Sequence, residues 1–208
     1  MVETPDQSLS AALDAFSARL RDAAAPLVPD ETAMAQLHSG VRHRILTKGT
    51  HLLRAGEVAD EVFFVHNGLL RYYFNDPAAG DQERTGQFFD AGSVVTDAES
   101  FLARIPAEQN FEALERTSVV IVPRSVLNAG YDADHAIERF GRLMFEEALI
   151  GSQRRAGRLL TLQPEERYRV FVETRPKVAG RVPQYLIASY LGLTPESLSR
   201  IRRRIARK

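Results

Sequence analysis

The sequence predicts an α+β protein: an antiparallel β-roll of the double-stranded β-helix or jelly-roll type, then one long helix, then a small all-helical end. Three observations predict it. Short β-branched and aromatic runs separated by glycine-containing turns fill residues 41–122. Apolar residues at three- and four-residue steps follow Pro123 and persist to Pro164. A formal net charge of zero conceals a division: residues 1–150 hold 13 Lys/Arg against 23 Asp/Glu, net −10, whereas residues 151–208 hold 14 against 4, net +10. The expected parts are N-terminal helices and roll at 1–131, the long helix at 132–163 and the basic helical end at 164–208.

Composition bounds the function. With 44% hydrophobic and 26% charged residues, the 208-residue chain is globular rather than disordered or fibrous. No apolar run approaches the roughly 20 residues that span a bilayer, and the opening MVETPDQS lacks a basic-then-apolar signal; a cytoplasmic protein without a membrane partner is expected. The absence of cysteine removes disulfides, thiolate catalysis, Cys-ligated zinc and cysteine-held iron–sulfur clusters. So large a basic excess in one segment points to a polyanion, with nucleic acid the leading candidate.

Residues 1–40 are Ala-rich and read as short helices, with Leu13, Phe16 and Leu20 at helical spacing. Strands are expected at 41–47, 61–66, 69–74, 85–89, 110–114 and 118–122. Lys48-Gly49, Ala55-Gly56, Asn67-Gly68 and Ala91-Gly92 punctuate them, and Asn67-Gly68 between two runs predicts a hairpin. In the long helix Ile137, Phe140, Met144, Ala148 and Gly151 form the stripe. Roughly 30 residues from Asp132 make a rod about 45 Å long, which needs a second surface. Gly141 and Gly151 on or near the stripe suit close approach of a symmetry mate, so a homodimer is expected. Pro164 opens a further helix through Thr174, with Glu165 and Glu166 at the positive end of its dipole, and Arg175-Pro176 ends it.

Residues 184–203 carry the most specific signal. Ala188 is the small residue where two helices cross, Gly192 is a turn residue able to take a left-handed conformation, and Ile187, Leu191, Leu193, Leu198 and Ile201 are apolar anchors, the pattern of a helix-turn-helix. Thr194 as N-cap and Pro195 as first helical residue start the second helix. Glu196, Ser199, Arg200, Arg203 and Arg207 share one side of it, while Leu198, Ile201 and Ile205 lie on another. Arginine pairs with guanine O6 and N7, and glutamate accepts from cytosine N4, in a major groove. Arg202, Arg204 and Lys208 suit phosphates, and Thr194 and Ser197 complete the candidate DNA-binding set. A solvated basic helix pairing with the acidic half explains the charge but not the anchor spacing.

The stretch YLIASYLGLTPESLSRIRRRI, with RYYF after VFFVHNGLL, resembles the Crp/Fnr family of bacterial transcription regulators over nearly the whole chain from Val41. The resemblance implies a cyclic-nucleotide-binding-type roll, a dimer helix and a C-terminal DNA reader, with an inverted-repeat operator, a small-molecule effector and RNA polymerase as partners. The E-x-x-S-R pattern from which the Fnr-like branch contacts bases stands here as Glu196, Ser199 and Arg200. The family commonly continues into a winged domain, whereas this sequence stops at Lys208, so a minimal reader is expected.

By the same resemblance, cyclic-nucleotide binders carry F-G-E-[L/I]-A followed by R-S-A or R-T-A. The matching stretches here are residues 95–99 and 109–111. Gln109 replaces the phosphate-binding Arg, Thr96 the flexible Gly, and Asp97 and Glu99 add negative charge. Loss of a charge-assisted fork costs a few kcal/mol, or about a hundredfold in affinity, so cyclic AMP is not the expected effector. Any other ligand would be lined by Thr96, Asp97, Glu99, Gln109 and Asn110, with Ser152 and Gln153 closing the site.

His38, His43, His51, His66 and His135 show no metal-ligand spacing, which disfavours a haem sensor and a cupin-like oxygenase; G-x-S-x-G, Walker and G-x-G-x-x-G motifs are absent. No catalytic, metal or cofactor site is expected. The alternatives are a small-molecule-binding or scaffold protein with a non-functional helix-turn-helix and, further off, a cupin-like enzyme.

Overall fold

A computed structural model describes residues 5–206 apart from residue 81. The N-terminal segment forms α1 (Pro5–Ala24) and α2 (Glu31–Gly40). α1 is one continuous helix rather than several short ones, because Ala12, Phe16, Leu20 and Ala24 recur every four residues and are all buried. Phe16 meets Phe64 of the roll at 5.5 Å and Phe140 of the long helix at 6.1 Å.

Eight strands follow: β1 (Arg42–Leu46), β2 (His51–Leu53), β3 (Glu61–Asn67), β4 (Leu69–Asp76), β5 (Gln82–Asp90), β6 (Val94–Val95), β7 (Asn110–Ala113) and β8 (Thr117–Pro123). They form two antiparallel four-stranded sheets, ordered β1-β8-β3-β6 and β2-β7-β4-β5. All six expected strands are present. β2 and β6 are too short to show alternation, and the helix α3 (Ala98–Ala103) between β6 and β7 is one and a half turns long.

The expected hairpin at Asn67-Gly68 is not one. β3 and β4 belong to different sheets, so this dipeptide turns the chain across the roll's edge. Gly68 has φ +106°, and a Cβ there would lie 2.5 Å from Thr117 Cα; the corner needs a residue with neither a side chain nor a negative-φ restriction. The true hairpin is β4–β5, in continuous register from Leu69↔Asp90 to Asp76↔Gln82 with a bulge after Tyr72.

Beyond Pro123 lie α4 (Arg124–Ala133) and α5 (His135–Thr161). The long helix starts three residues later than expected because Asp134 is extended and its carboxylate accepts from Ala136 N at 2.7 Å and Ile137 N at 3.0 Å. Its expected stripe divides. Ile137, Phe140 and Met144 pack into the core shared by α1 and the roll, whereas Ala148 is exposed and Gly151 only half-buried; beside them Leu149 is 59% and Leu160 86% exposed. Gly141 serves the chain's own packing rather than a symmetry mate: a Cβ there would meet the Tyr131 hydroxyl at 2.0 Å. Burial, aided by the Glu138 charge, pushes that phenol up to about 12.

The basic end comprises α6 (Pro164–Thr174), α7 (Pro176–Ala179), α8 (Gln184–Tyr190) and α9 (Pro195–Ile205). Phe171, Val178, Val182, Leu186, Ile187, Leu191 and Leu198 form its core, which closes over Leu69 and Phe88 on the outer face of the β4–β5 hairpin. Among the described residues no helix is long and apolar enough to cross a membrane.

Candidate functional site

The turn between α8 and α9 has the geometry its sequence requires. Ala188 is fully buried, so the two helix backbones approach closely. Gly192 takes φ +66°, and Leu193 N then donates to Ala188 O at 2.9 Å. Thr194 Oγ accepts from Ser197 N at 3.3 Å and Pro195 follows at the first helical position. Leu198 and Ile201 are buried, which turns the opposite side of α9 outward.

Glu196, Ser199, Arg200 and Arg203 line one open surface on that side. Arg200 donates to Ser197 Oγ at 3.3 Å. The Glu196 carboxyl is held below the usual carboxylate range by its own backbone N–H at the helix start, then by the Thr194 hydroxyl and the Arg200 charge, so it is a ready acceptor. Arg202 is exposed and has no side-chain partner among the described residues. Arg204, expected to contact a phosphate, instead meets Glu165 at 3.2 Å, because α6 packs beside α9. Arg207 lies outside the described residues.

Contacts between the helical end and the roll were not legible in the sequence. Ser189 Oγ accepts from Thr85 N at 2.9 Å and donates to Glu83 O at 3.2 Å. Arg155 on α5 donates to Gly86 O and to Thr85 O and lies over the Tyr190 ring at 4.4 Å. Arg175 holds Phe88 O at 2.8 Å and Asp90 at 2.9 Å, and Arg181 pairs with Glu115. Part of the basic excess is thus spent on the acidic roll.

The expected ligand-lining residues are largely committed to the fold. Asp97 is 2% exposed and caps α3 by accepting from Ser100 N at 3.0 Å. Thr96 donates to Glu61 O, and Asn110 accepts from Ala55 N at 3.1 Å while its Nδ2 is buried without a partner. Gln109 is half-buried; Glu99, Ser152 and Gln153 are exposed. Inside the roll Tyr72, Phe89 and Phe111 fill the space between the sheets, with Phe89 stacked on Phe111 at 6.1 Å and Tyr72 5.7 Å from Phe111. Sequence reasoning also missed Arg71. It is 4% exposed, bonded to Glu112 at 2.6 Å and to Glu83, and lies over Tyr73. Burial opposes its charge, but the hydrogen bonds and charges of the two carboxylates outweigh it and raise the pKa. A lone arginine between apolar strand residues was the available signal.

Among the described residues no three or more His, Asp or Glu side chains gather to hold a metal ion. Residues 43–134 match the cyclic nucleotide-binding domain family. No relative of curated function matches the sequence. Solved structures of similar fold include FixK2 from Bradyrhizobium japonicum, at TM-score 0.68 and 24% identity over 80% of this chain and 84% of that one. The c-di-GMP responsive global regulator CLP of Xanthomonas campestris matches at 0.65 and 17% identity, over 85% and 92% of the two chains. A protein from Eubacterium rectale, described as a Crp/Fnr-family transcriptional regulator, matches at 0.68 and 15%, over 85% and 83%. The described residues share the α+β fold of these solved structures, and the roll lies within the segment that matches the cyclic nucleotide-binding domain family.

Proposed function

We propose that the protein is a DNA-binding transcriptional regulator that works as a homodimer and responds through its roll to an effector other than cyclic AMP. The observation that carries this reading is the outward face of α9, where Glu196, Ser199, Arg200 and Arg203 stand free of the chain's own core on a helix with a defined start. Such a face fits a major groove, with the arginines toward guanine edges and Arg202 toward the backbone. The exposed Leu149, Ile150 and Leu160 on α5 support pairing through that helix. Two-fold symmetry then calls for an inverted repeat with half-site centres about 10 bp, or a multiple of it, apart. Commitment of Asp97 and Asn110 to local hydrogen bonds, with Gln109 in place of a cation, argues against a cyclic phosphate.

Selection of bound duplexes from a random pool at physiological salt tests the reading. An enriched inverted repeat that outcompetes random DNA is expected, and retention of random duplex as tightly as any selected sequence would sink it. Leu160→Glu, at an exposed position, should leave the fold intact and halve the mass seen by light scattering. A wild-type monomer at tens of micromolar would remove the dimer.

A further inference from the structure

Apart from α9 and the roll interior, α5, α6 and α8 enclose a cleft whose walls carry Arg155, Arg158, Arg167 and Arg175, with Phe171 and Tyr190. Arg155 and Arg167 are held by backbone carbonyls and not by acids, and Arg175 also donates to the Gln87 side-chain oxygen at 3.0 Å. Arg155 bonds Gly86 O and Thr85 O; Arg167 donates Nη1 to Leu191 O at 2.6 Å; Arg175 bonds Phe88 O and the carboxylate of Asp90. Among the described residues Asp90 is the one carboxylate bonded to any of the four. Among the described residues the Arg158 guanidinium forms no ion pair or hydrogen bond, and Arg167 Nε is buried without a partner. Four cations against one anion repel one another across a space partly closed to water, where screening is weakened. Carbonyl contacts fix the forks in place but leave the charge standing.

The enclosed volume is about 40 Å³. A water needs about 10–15 Å³, so the cleft has room for about three waters, the size of one tetrahedral oxyanion and not of a whole nucleotide. Arginine forks match the oxygens of such a group. We propose that this cleft binds a phosphoryl group, either free phosphate or the phosphate of a small monoester, and that the bound anion clamps α6 and α8 to α5. Arg158 supplies an unpaired fork, and Arg167 the unpartnered Nε. Because Arg155 and Arg175 also hold the 85–90 segment of β5, the anion would fasten the helical end to the roll.

Calorimetry of the full chain with inorganic phosphate and with a sugar monophosphate, against sulfate at matched ionic strength, tests this without any DNA, so its failure is separate from failure of the regulator reading. Saturable binding is expected, and the tighter of the two probes identifies the source of the phosphoryl group. Arg158→Gln, at an exposed and unbonded position, should weaken it at least about tenfold. Arg154→Gln, the same charge change one residue outside the cleft, and Arg200→Ala on α9 should leave it unchanged. Bound phosphate should also slow amide exchange in α8. Absence of saturable binding by both probes, equal weakening by Arg154→Gln, or loss of binding in Arg200→Ala overturns the site; binding that leaves α8 exchange unchanged overturns the clamp.

Discussion

On α9, Ser199, Arg202 and Arg203 reach solvent with no side-chain partner among the described residues, whereas around the roll Asp97, Asn110 and Arg71 are each bonded to the fold. The two regions share a chain and differ in what their polar groups have left to give. A buried carboxylate that caps a helix can serve a ligand only by abandoning its cap, at about 0.5–2 kcal/mol. An exposed arginine with no partner gives up only water and rotamer freedom when a phosphate or base arrives. Where the outward surface of α9 is uncommitted, the described interior of the roll is occupied by aromatic rings and by polar groups most of which are bonded to the fold, Asn110 Nδ2 excepted, which supports DNA contact at the first and argues against an ordinary cyclic-nucleotide mode at the second.

The sharpest way to break this contrast is to empty the roll. Phe111 is fully buried and stacks on Phe89, so Phe111→Ala should lower unfolding free energy by about 3–5 kcal/mol, through lost transfer energy and an unfilled cavity. Denaturant titration measures it. A loss near zero would mean that the interior is loose enough to receive a ligand without breaking the fold, and the contrast would fail on the roll's side. On α9 the opposite is expected. Arg200→Ala should leave stability within about 0.5 kcal/mol yet remove roughly 1–3 kcal/mol of preference for one base pair in each half-site. Competition between selected and single-substituted duplexes reads that preference directly, and an unchanged profile would take Arg200 out of base recognition.

The same contrast explains what the sequence could and could not disclose. Strands of four or more residues stand out as β-branched and aromatic runs between glycine turns, and α9 shows its cap, anchors and open face, because each of these is a local pattern. Contacts that join distant segments have no period. Nothing near Gly68 indicates that Thr117, 49 residues on, will crowd it, so the dipeptide read as a hairpin. Likewise Asp97 looked like a charge in a ligand pocket because its role depends only on where α3 begins, and a helix of six residues is too short to announce itself. On α5 the apolar steps are a local period, but what covers their first half is not: α1, from the far end of the chain, packs there. Ser189 and Arg175 carry no local signal, since their partners are backbone and side-chain atoms of β5, about 90–100 residues away in sequence.

The finest distinction lies within α9 itself, between two neighbouring arginines that the sequence treats alike. Arg202 has no side-chain partner among the described residues, while Arg204 faces Glu165 at 3.2 Å with its own side chain still 61% exposed. If both reached phosphates, each alanine variant would reduce the slope of log affinity against log salt by about one. The geometry separates them. Arg202→Ala should reduce the slope by about one and weaken all sequences alike. Arg204→Ala should change the slope by less, because part of its charge is already balanced by Glu165, and should cost at most about 1 kcal/mol of stability as an exposed pair. Glu165→Gln then becomes the informative variant. Freeing Arg204 should raise affinity for random duplex and steepen its salt dependence, and this gain should vanish in the Glu165→Gln, Arg204→Ala double variant. Equal slopes for Arg202→Ala and Arg204→Ala in the presence of Glu165 would show that DNA displaces the ion pair, and the line between committed and uncommitted side chains would then have to be drawn at burial alone.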